Sequence, residues 1–265
     1  MQSMVQPGSQ AEQVGRLVLA VVVVLSLPAF PLGNYIIYPF YLLTTWFHEM
    51  GHGMTAELVG QQFEQLRIFP DGSGVAQSFV DNDASRFVNA AIAAGGPLAP
   101  SIIGSLLILA SAHRKAWRPS LVALAAAIFA SMIFYVRSPM ESLGDQVAIA
   151  MLPLVGALLV LIAWRAGDGF TRFTLQFIGV LAAMSMLQDW NYLFTERASI
   201  GGQAMLSDTG QIEAALFLPH WFWAGIIIVI SAVMIGASLK YALSDKRRGP
   251  PRRKLPANVL QFKRK

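Results

Sequence analysis

Seven stretches of this chain are apolar over lengths close to the roughly 20 residues a helix needs to cross a bilayer. They run at about 14–30, 35–59, 87–112, 119–136, 147–164, 170–194 and 214–243. A segment inside hydrocarbon must satisfy its own backbone hydrogen bonds, so runs of this length predict helices and little else. The predicted fold class is therefore an all-α membrane protein, a polytopic bundle of six to seven transmembrane helices. The first run sets the uncertainty in that count: it is short, and Pro28 and Pro31 would end it in a tight bend before the second. Composition agrees, with 13% charged residues and a mean hydropathy of +0.52, against about a quarter charged in soluble domains. Arg16 precedes the first run, but no small-residue cleavage pattern follows it, so a retained span is expected rather than a removed signal peptide.

The formal charge of +5 is misleading, because nine of the twenty Lys and Arg lie in the last twenty residues, "KRRGPPRRKLPANVLQFKRK". Without that tail, 11 basic residues face 15 acidic ones, net −4. No nucleic acid partner is expected for such a body. The chain divides into a membrane domain, residues 1–245, and a basic tail, residues 246–265, read as a topology anchor able to touch anionic lipid. Cysteine is absent, which excludes disulfide and thiolate chemistry.

Loop charge sets orientation. "HRKAWR" at 113–118, "RAGDGFTR" at 165–172 and the tail fall on one side if the third to seventh runs all span, and basic loops mark the cytoplasmic face. The opposite loops carry Asp71, Asp81, Asp83, Glu141, Asp145, Glu196, Asp208 and Glu213. After the second run, "FEQLRIF" and "VAQSFV" flank the turn-rich "PDGSG", which predicts a small two-stranded β-ribbon between helices two and three.

Inside the second apolar run lies "TTWFHEMGHGMTAEL", residues 44–58. His48 and His52 are four apart, so on a helix both imidazoles share one face a turn apart, as two ligands of one metal ion require. Glu49 projects about 100° round the helix, within reach of a metal-bound water without being a ligand. Three ionisable groups in five residues at bilayer depth are unfavourable by several kcal/mol unless paired or metallated.

Four blocks, "HEMGHGMTAELVG", "PDGSGVAQS", "AAIAAGGPLAPSIIG" and "SDTGQIEAALFLPHWFWAG", together resemble the bacterial B-type branch of the site-2 protease family of intramembrane zinc metallopeptidases. The resemblance covers most of residues 40–230. It implies a zinc cofactor held by His48 and His52, Glu49 as catalytic base, and a membrane protein or peptide substrate cut at a peptide bond. It also implies residence in the bilayer of a bacterial inner membrane, with the tail cytoplasmic. Gly51 and the "GGP" at 95–97 would let two helices approach closely.

Catalytic zinc takes three protein ligands and keeps an open position, and in this family the third is acidic. The Leu-Asp-Gly motif of the better-known branch is missing here, which leaves three candidates. Depth favours Asp189 in "SMLQDWNYLF", because the second and sixth runs cross in one direction and Asp189 then sits about level with the histidines. Asp208 in "LSDTG" belongs to the block most like the B-type branch and would need a re-entrant segment to carry it inward. Asp145 in "RSPMESLGDQV" loosely echoes the family's proline-then-aspartate layout. The expected activity is zinc-dependent peptide hydrolysis. The alternative is a non-proteolytic scaffold or transporter with a structural or carried metal at the same histidines; four closed ligands, or a string of polar residues through several spans, would mark it. The oligomeric state is not legible in the sequence.

Overall fold

The computed structural model describes residues 10–137, 142–188 and 190–243. Its helices are α1 Gln10–Ser26, α2 Gly33–Leu58, α3 Arg86–Ser111, α4 Trp117–Phe134, α5 Leu143–Arg165, α6 Asp168–Gln188, α7 Trp190–Leu193, α8 Asp208–Ala215 and α9 His220–Ala242. Two hairpins interrupt them: β1 Gln62–Ile68 with β2 Gly74–Phe79, and β3 Arg197–Ile200 with β4 Gln203–Leu206.

By length and apolarity, four segments can cross a membrane: Arg86–Ser111, Arg114–Phe134, Leu143–Arg165 and His220–Ala242. The bent pair Val14–Ala29 and Gly33–Leu58, turned through 119°, brings the number to five if it counts as one span. Six to seven spans are not shown among the described residues, for two physical reasons. The proline-marked bend merges the first two runs into one folded unit, with the Leu27 carbonyl 1.5 Å from where a side chain on Gly33 would begin. The first half of α6 also carries Asp168, Thr171, Arg172, Thr174 and Gln176, and Thr171, Thr174 and Gln176 are buried. It is a protein-facing helix with a polar side.

Helix α3 is the hub, in contact with α2, α6, α8 and α9. Small residues permit this. A methyl on Gly51 of α2 would lie 2.4 Å from the Ala99 Cβ and 2.5 Å from the Gly95 carbonyl oxygen, as the expected close approach requires. On the other flank Gly104 of α3 meets the Gly179 carbonyl of α6 in the same way. The main core gathers Leu42, Leu43, Trp46 and Phe47 of α2 with Phe63, Leu66 and Ile68 of β1 and the facing sides of α4, α5 and α6. Trp46 is polar at one atom only, and Nε1 donates to Ser131 Oγ at 2.8 Å inside that core.

The ribbon expected after the second run is present. Its turn is built by Asp71, whose Oδ1 accepts from the Ser73 amide at 2.9 Å, and by Gly72 at φ +87°. Thr45 Oγ1 and Tyr38 Oη of α2 donate to the Gly72 and Pro70 carbonyls, pinning the tip against that helix. The second hairpin was not foreseen. It turns on Gly201 and Gly202, both at positive φ (+54° and +78°), a two-residue turn that only such residues adopt freely. The two tips touch, with the Gly201 amide donating to Ser73 Oγ at 3.3 Å.

The basic loops gather at one end of the bundle. Arg114 and Arg118 both pair with Asp168, Arg118 also donates to the Ala163 and Ala166 carbonyls at the end of α5, and His113 stacks near Tyr241 at the end of α9.

Candidate metal centre

The site begins with the helical spacing of His48 and His52. On α2 their Nε2 atoms stand 3.2 Å apart. The Nδ1 of His52 faces the Ile92 carbonyl of α3 at 2.8 Å, and since a carbonyl only accepts, the neutral ring carries its proton there and turns a bare Nε2 inward. The third donor is Asp208, the first residue of α8. Its Oδ2 is 2.9 Å from His48 Nε2 and its Oδ1 is 3.2 Å from His52 Nε2. These three side chains form a metal-compatible cluster among the described residues.

Three observations fit a bound cation. Donors lying 2.0–2.2 Å from a tetrahedral zinc are about 3.3–3.6 Å from one another, and the observed separations of 2.9–3.2 Å describe a slightly contracted face of such a tetrahedron. Asp208 is 2% exposed, yet Oδ2 has no partner with hydrogen-bond geometry despite the close imidazole. Burial alone would raise the Asp208 carboxyl, but positive charge at this spot, as on the two imidazoles when they are protonated, outweighs it and holds the group below the ordinary carboxylate range.

The other two acidic candidates fare differently. Asp145 is buried at the start of α5, where Oδ2 accepts from the Ser142 amide at 2.9 Å and from Ser142 Oγ at 2.7 Å. It closes a capping box with Ser142 and is not part of the donor cluster. Asp189 lies outside the described residues.

Why Asp208 arrives at the histidines is legible in its neighbours. Ser207 caps α8, accepting from the Gly210 amide at 3.0 Å, and its hydroxyl donates to the Thr195 carbonyl at 2.5 Å. Thr209 Oγ1 donates to the Leu193 carbonyl at 2.7 Å. These hydroxyls bind α8 to the segment after α7, while Ile212 buries into Ala90, Ala93, Ala224 and Ile227 of α3 and α9. A short helix is thereby held against α3 with its first residue inward.

Glu49 is 7% exposed and lies beside the donors rather than among them. It faces β2, its Cγ 2.7 Å from the Cβ position of Gly74. The orientation of β2 follows from the hairpin. Leu66, paired with Ala76, spends its own amide and carbonyl on Tyr135 and Arg137, at 2.9 and 3.0 Å. In an antiparallel ladder such a pair exchanges no hydrogen bonds, so the Ala76 amide and carbonyl point away from β1. They form a free strand edge along a cleft. Two cavities of about 450 and 420 Å³ make up the cleft, meeting at Glu49, Gly74, Tyr192 and Ile200. Tyr192 is not among the residues that the sequence singled out.

Residues 15–238 match the family model described as Peptidase M50B-like. No curated protein and no solved structure matches the chain.

Proposed function

The chain belongs to the Peptidase M50B-like family, metallopeptidases of the site-2 protease kind, and from that premise we propose that it hydrolyses peptide bonds of membrane-associated proteins with a zinc ion held by His48, His52 and Asp208. The observation that carries the proposal is the meeting of three buried donors beside a fourth ionisable group, Glu49, at the wall of an open cleft. Three side-chain donors and an accessible cleft favour a catalytic site over a closed structural one among the described residues.

When bound, zinc supplies Lewis acidity, acidifying a water and polarising the scissile carbonyl. The chain's own residues do the rest. Glu49 accepts the proton of the attacking water on its carboxylate and returns it to the amine nitrogen as the C–N bond breaks. The His52–Ile92 contact keeps the imidazole oriented. A helical substrate hides its carbonyls, so the scissile segment must be extended. The outward-facing groups of Gly74 and Ala76 offer such a segment a strand to pair with.

We further place the tail, residues 246–265, in the cytoplasm of a bacterial cell with the domain in its inner membrane. The clustering of Arg114, Arg118, Arg172 and Tyr241 at one end of the bundle supports a common side for the basic loops. Reporter fusions after Lys115 and after Ser244 should both read cytoplasmic; two external readings overturn this orientation.

The test of the activity is Glu49→Gln in the full chain reconstituted in nanodiscs. It should keep about one zinc per chain and lose cleavage by 10²-fold or more, as expected for a general base outside the metal's ligands. Cleavage at the unaltered rate would point to another base.

A further inference from the structure

Glu49 and Tyr192 are the two ionisable side chains that line both halves of the cleft. Tyr192 belongs to the short helix α7 and lines the cleft together with Gly74 of β2. Its ring lies 6.3 Å from the His48 ring, nearly edge-on at 74°, and it lines the same cavity as Asp208. The geometry points to Tyr192 as a second catalytic residue, whose phenol donates a hydrogen bond to the scissile carbonyl oxygen as negative charge develops on it.

The argument rests on placement and chemistry. As the oxygen of water bonds to the carbonyl carbon, the π electrons of C=O move onto its oxygen, and a donor aimed there favours the transition state over the ground state. Glu49 is an acceptor and cannot serve while it holds a proton for the amine. A neutral phenol carries one O–H donor and has no other acidic duty in the reaction. It donates without giving the proton away, so bonds and charges balance without a further reactant.

Placement is rigid where it must be. The residue following Tyr192 is the fully buried Leu193, whose carbonyl accepts from Thr209 Oγ1 at 2.7 Å, and Ser207 reaches back to Thr195 and Glu196. A methyl on Gly210 would stand 2.3 Å from the Glu196 carbonyl oxygen, so the two segments are in contact along their backbones. Tyr192 and Asp208 thus move as one unit, and a donor set beside a metal ligand keeps its register with that ligand. The phenol itself remains partly exposed in the cleft, where a substrate carbonyl can meet it.

The inference rests on the metallopeptidase reading, and the experiment separates the two. Full-length protein in nanodiscs, wild type and Tyr192→Phe, is compared for zinc content, for cleavage of a peptide substrate, and for affinity toward a phosphinate analogue of that peptide, whose tetrahedral oxygens mimic the developing charge, and toward its hydroxamate, which only binds metal. Tyr192→Phe should keep its zinc, its KM within about threefold and its hydroxamate affinity. It should lose about 10²-fold in kcat and a similar factor in phosphinate affinity, the range seen when one such donor is removed. Unchanged phosphinate affinity overturns the assignment, and so does loss of zinc, which would make Tyr192 a positioning residue acting through Asp208. A wild-type protein that neither binds zinc nor cleaves overturns the metallopeptidase reading instead. Should Tyr192→Phe fail to fold, 3-fluorotyrosine incorporated at position 192 keeps the shape and strengthens the donor; it should tighten phosphinate binding, and an unchanged affinity counts against the proposal.

Discussion

The ring of His52 fills the space that a side chain at Gly96 would need: a methyl group there would stand 2.1 Å from Nε2. Helix α3 thus presents a hydrogen atom to the imidazole where any other residue would present carbon. Gly96→Ala should push the ring off its Ile92 contact or part α2 from α3. Zinc affinity is expected to fall by 10-fold or more, in the range found when a ligand's support is removed, with helix content by circular dichroism unchanged. Full affinity in Gly96→Ala would mean the ring can move without leaving the metal.

The carboxylate candidates separate cleanly by two measurements. Asp208→Ala and Asp208→Asn should each strip most of the zinc and abolish turnover, the amide because it keeps the shape and loses the negative charge. Asp145→Ala should keep zinc and lower thermal stability by about 1 kcal/mol, as for a lost helix cap. Asp189→Ala belongs in the same series: loss of zinc there, with retention in Asp208→Ala, would return the third ligand to the sixth apolar run.

Of the three clustered donors, His48 and His52 were legible from their spacing and Asp208 only as one of three candidates, for a reason of physical range. His48, Glu49 and His52 are fixed relative to one another by one helical turn, which spacing alone encodes. Asp208 reaches them through tertiary contacts of α8 with α3 and α9 and through hydroxyls that bond to carbonyls at Leu193 and Thr195. Depth along straight spans of common direction does not reach Asp208, which sits on an eight-residue helix outside every candidate span. A cue existed in "LSDTG", where Ser207 as helix cap places the next residue at an N-terminus. The first hairpin was announced by five turn residues, "PDGSG"; the second has strands of four residues each, too short for alternation to register, although "GG" marked its turn.

Ala76 offers a test of the strand edge. Its amide faces the cleft and not β1, so Ala76→Pro removes a donor without removing a rung of the hairpin. Cleavage should drop about 10-fold or more through a raised KM, the loss of one or two hydrogen bonds to an extended substrate, with zinc content unchanged. An unaltered KM would show that substrate does not pair with β2.

Helix α8 is latched at its far end by Glu213, whose carboxylate accepts from the His220 amide at 2.6 Å and lies 2.7 Å from the His220 ring. Those contacts hold the Glu213 carboxyl below its ordinary value. A lowered folded value means that the stabilisation is present above the unfolded one and is lost as pH falls through the folded one. The latch should therefore be closed at neutral pH and open on acidification below the usual glutamate range. Fluorescence of Trp221 and Trp223, beside His220, should show that transition in the wild type and not in Glu213→Gln.

The donor triad draws two members from α2 and one from α8, with α3 to α7 and both hairpins between or beside them. During synthesis the histidines and Glu49 emerge long before Asp208, and the hydroxyls that aim Asp208 come from the same late segment. The three donors cannot come together until residue 208 has left the ribosome and α8 has docked on α3. The order of the sequence thus delays assembly of the proposed metal centre until the helices before α8 can enclose it.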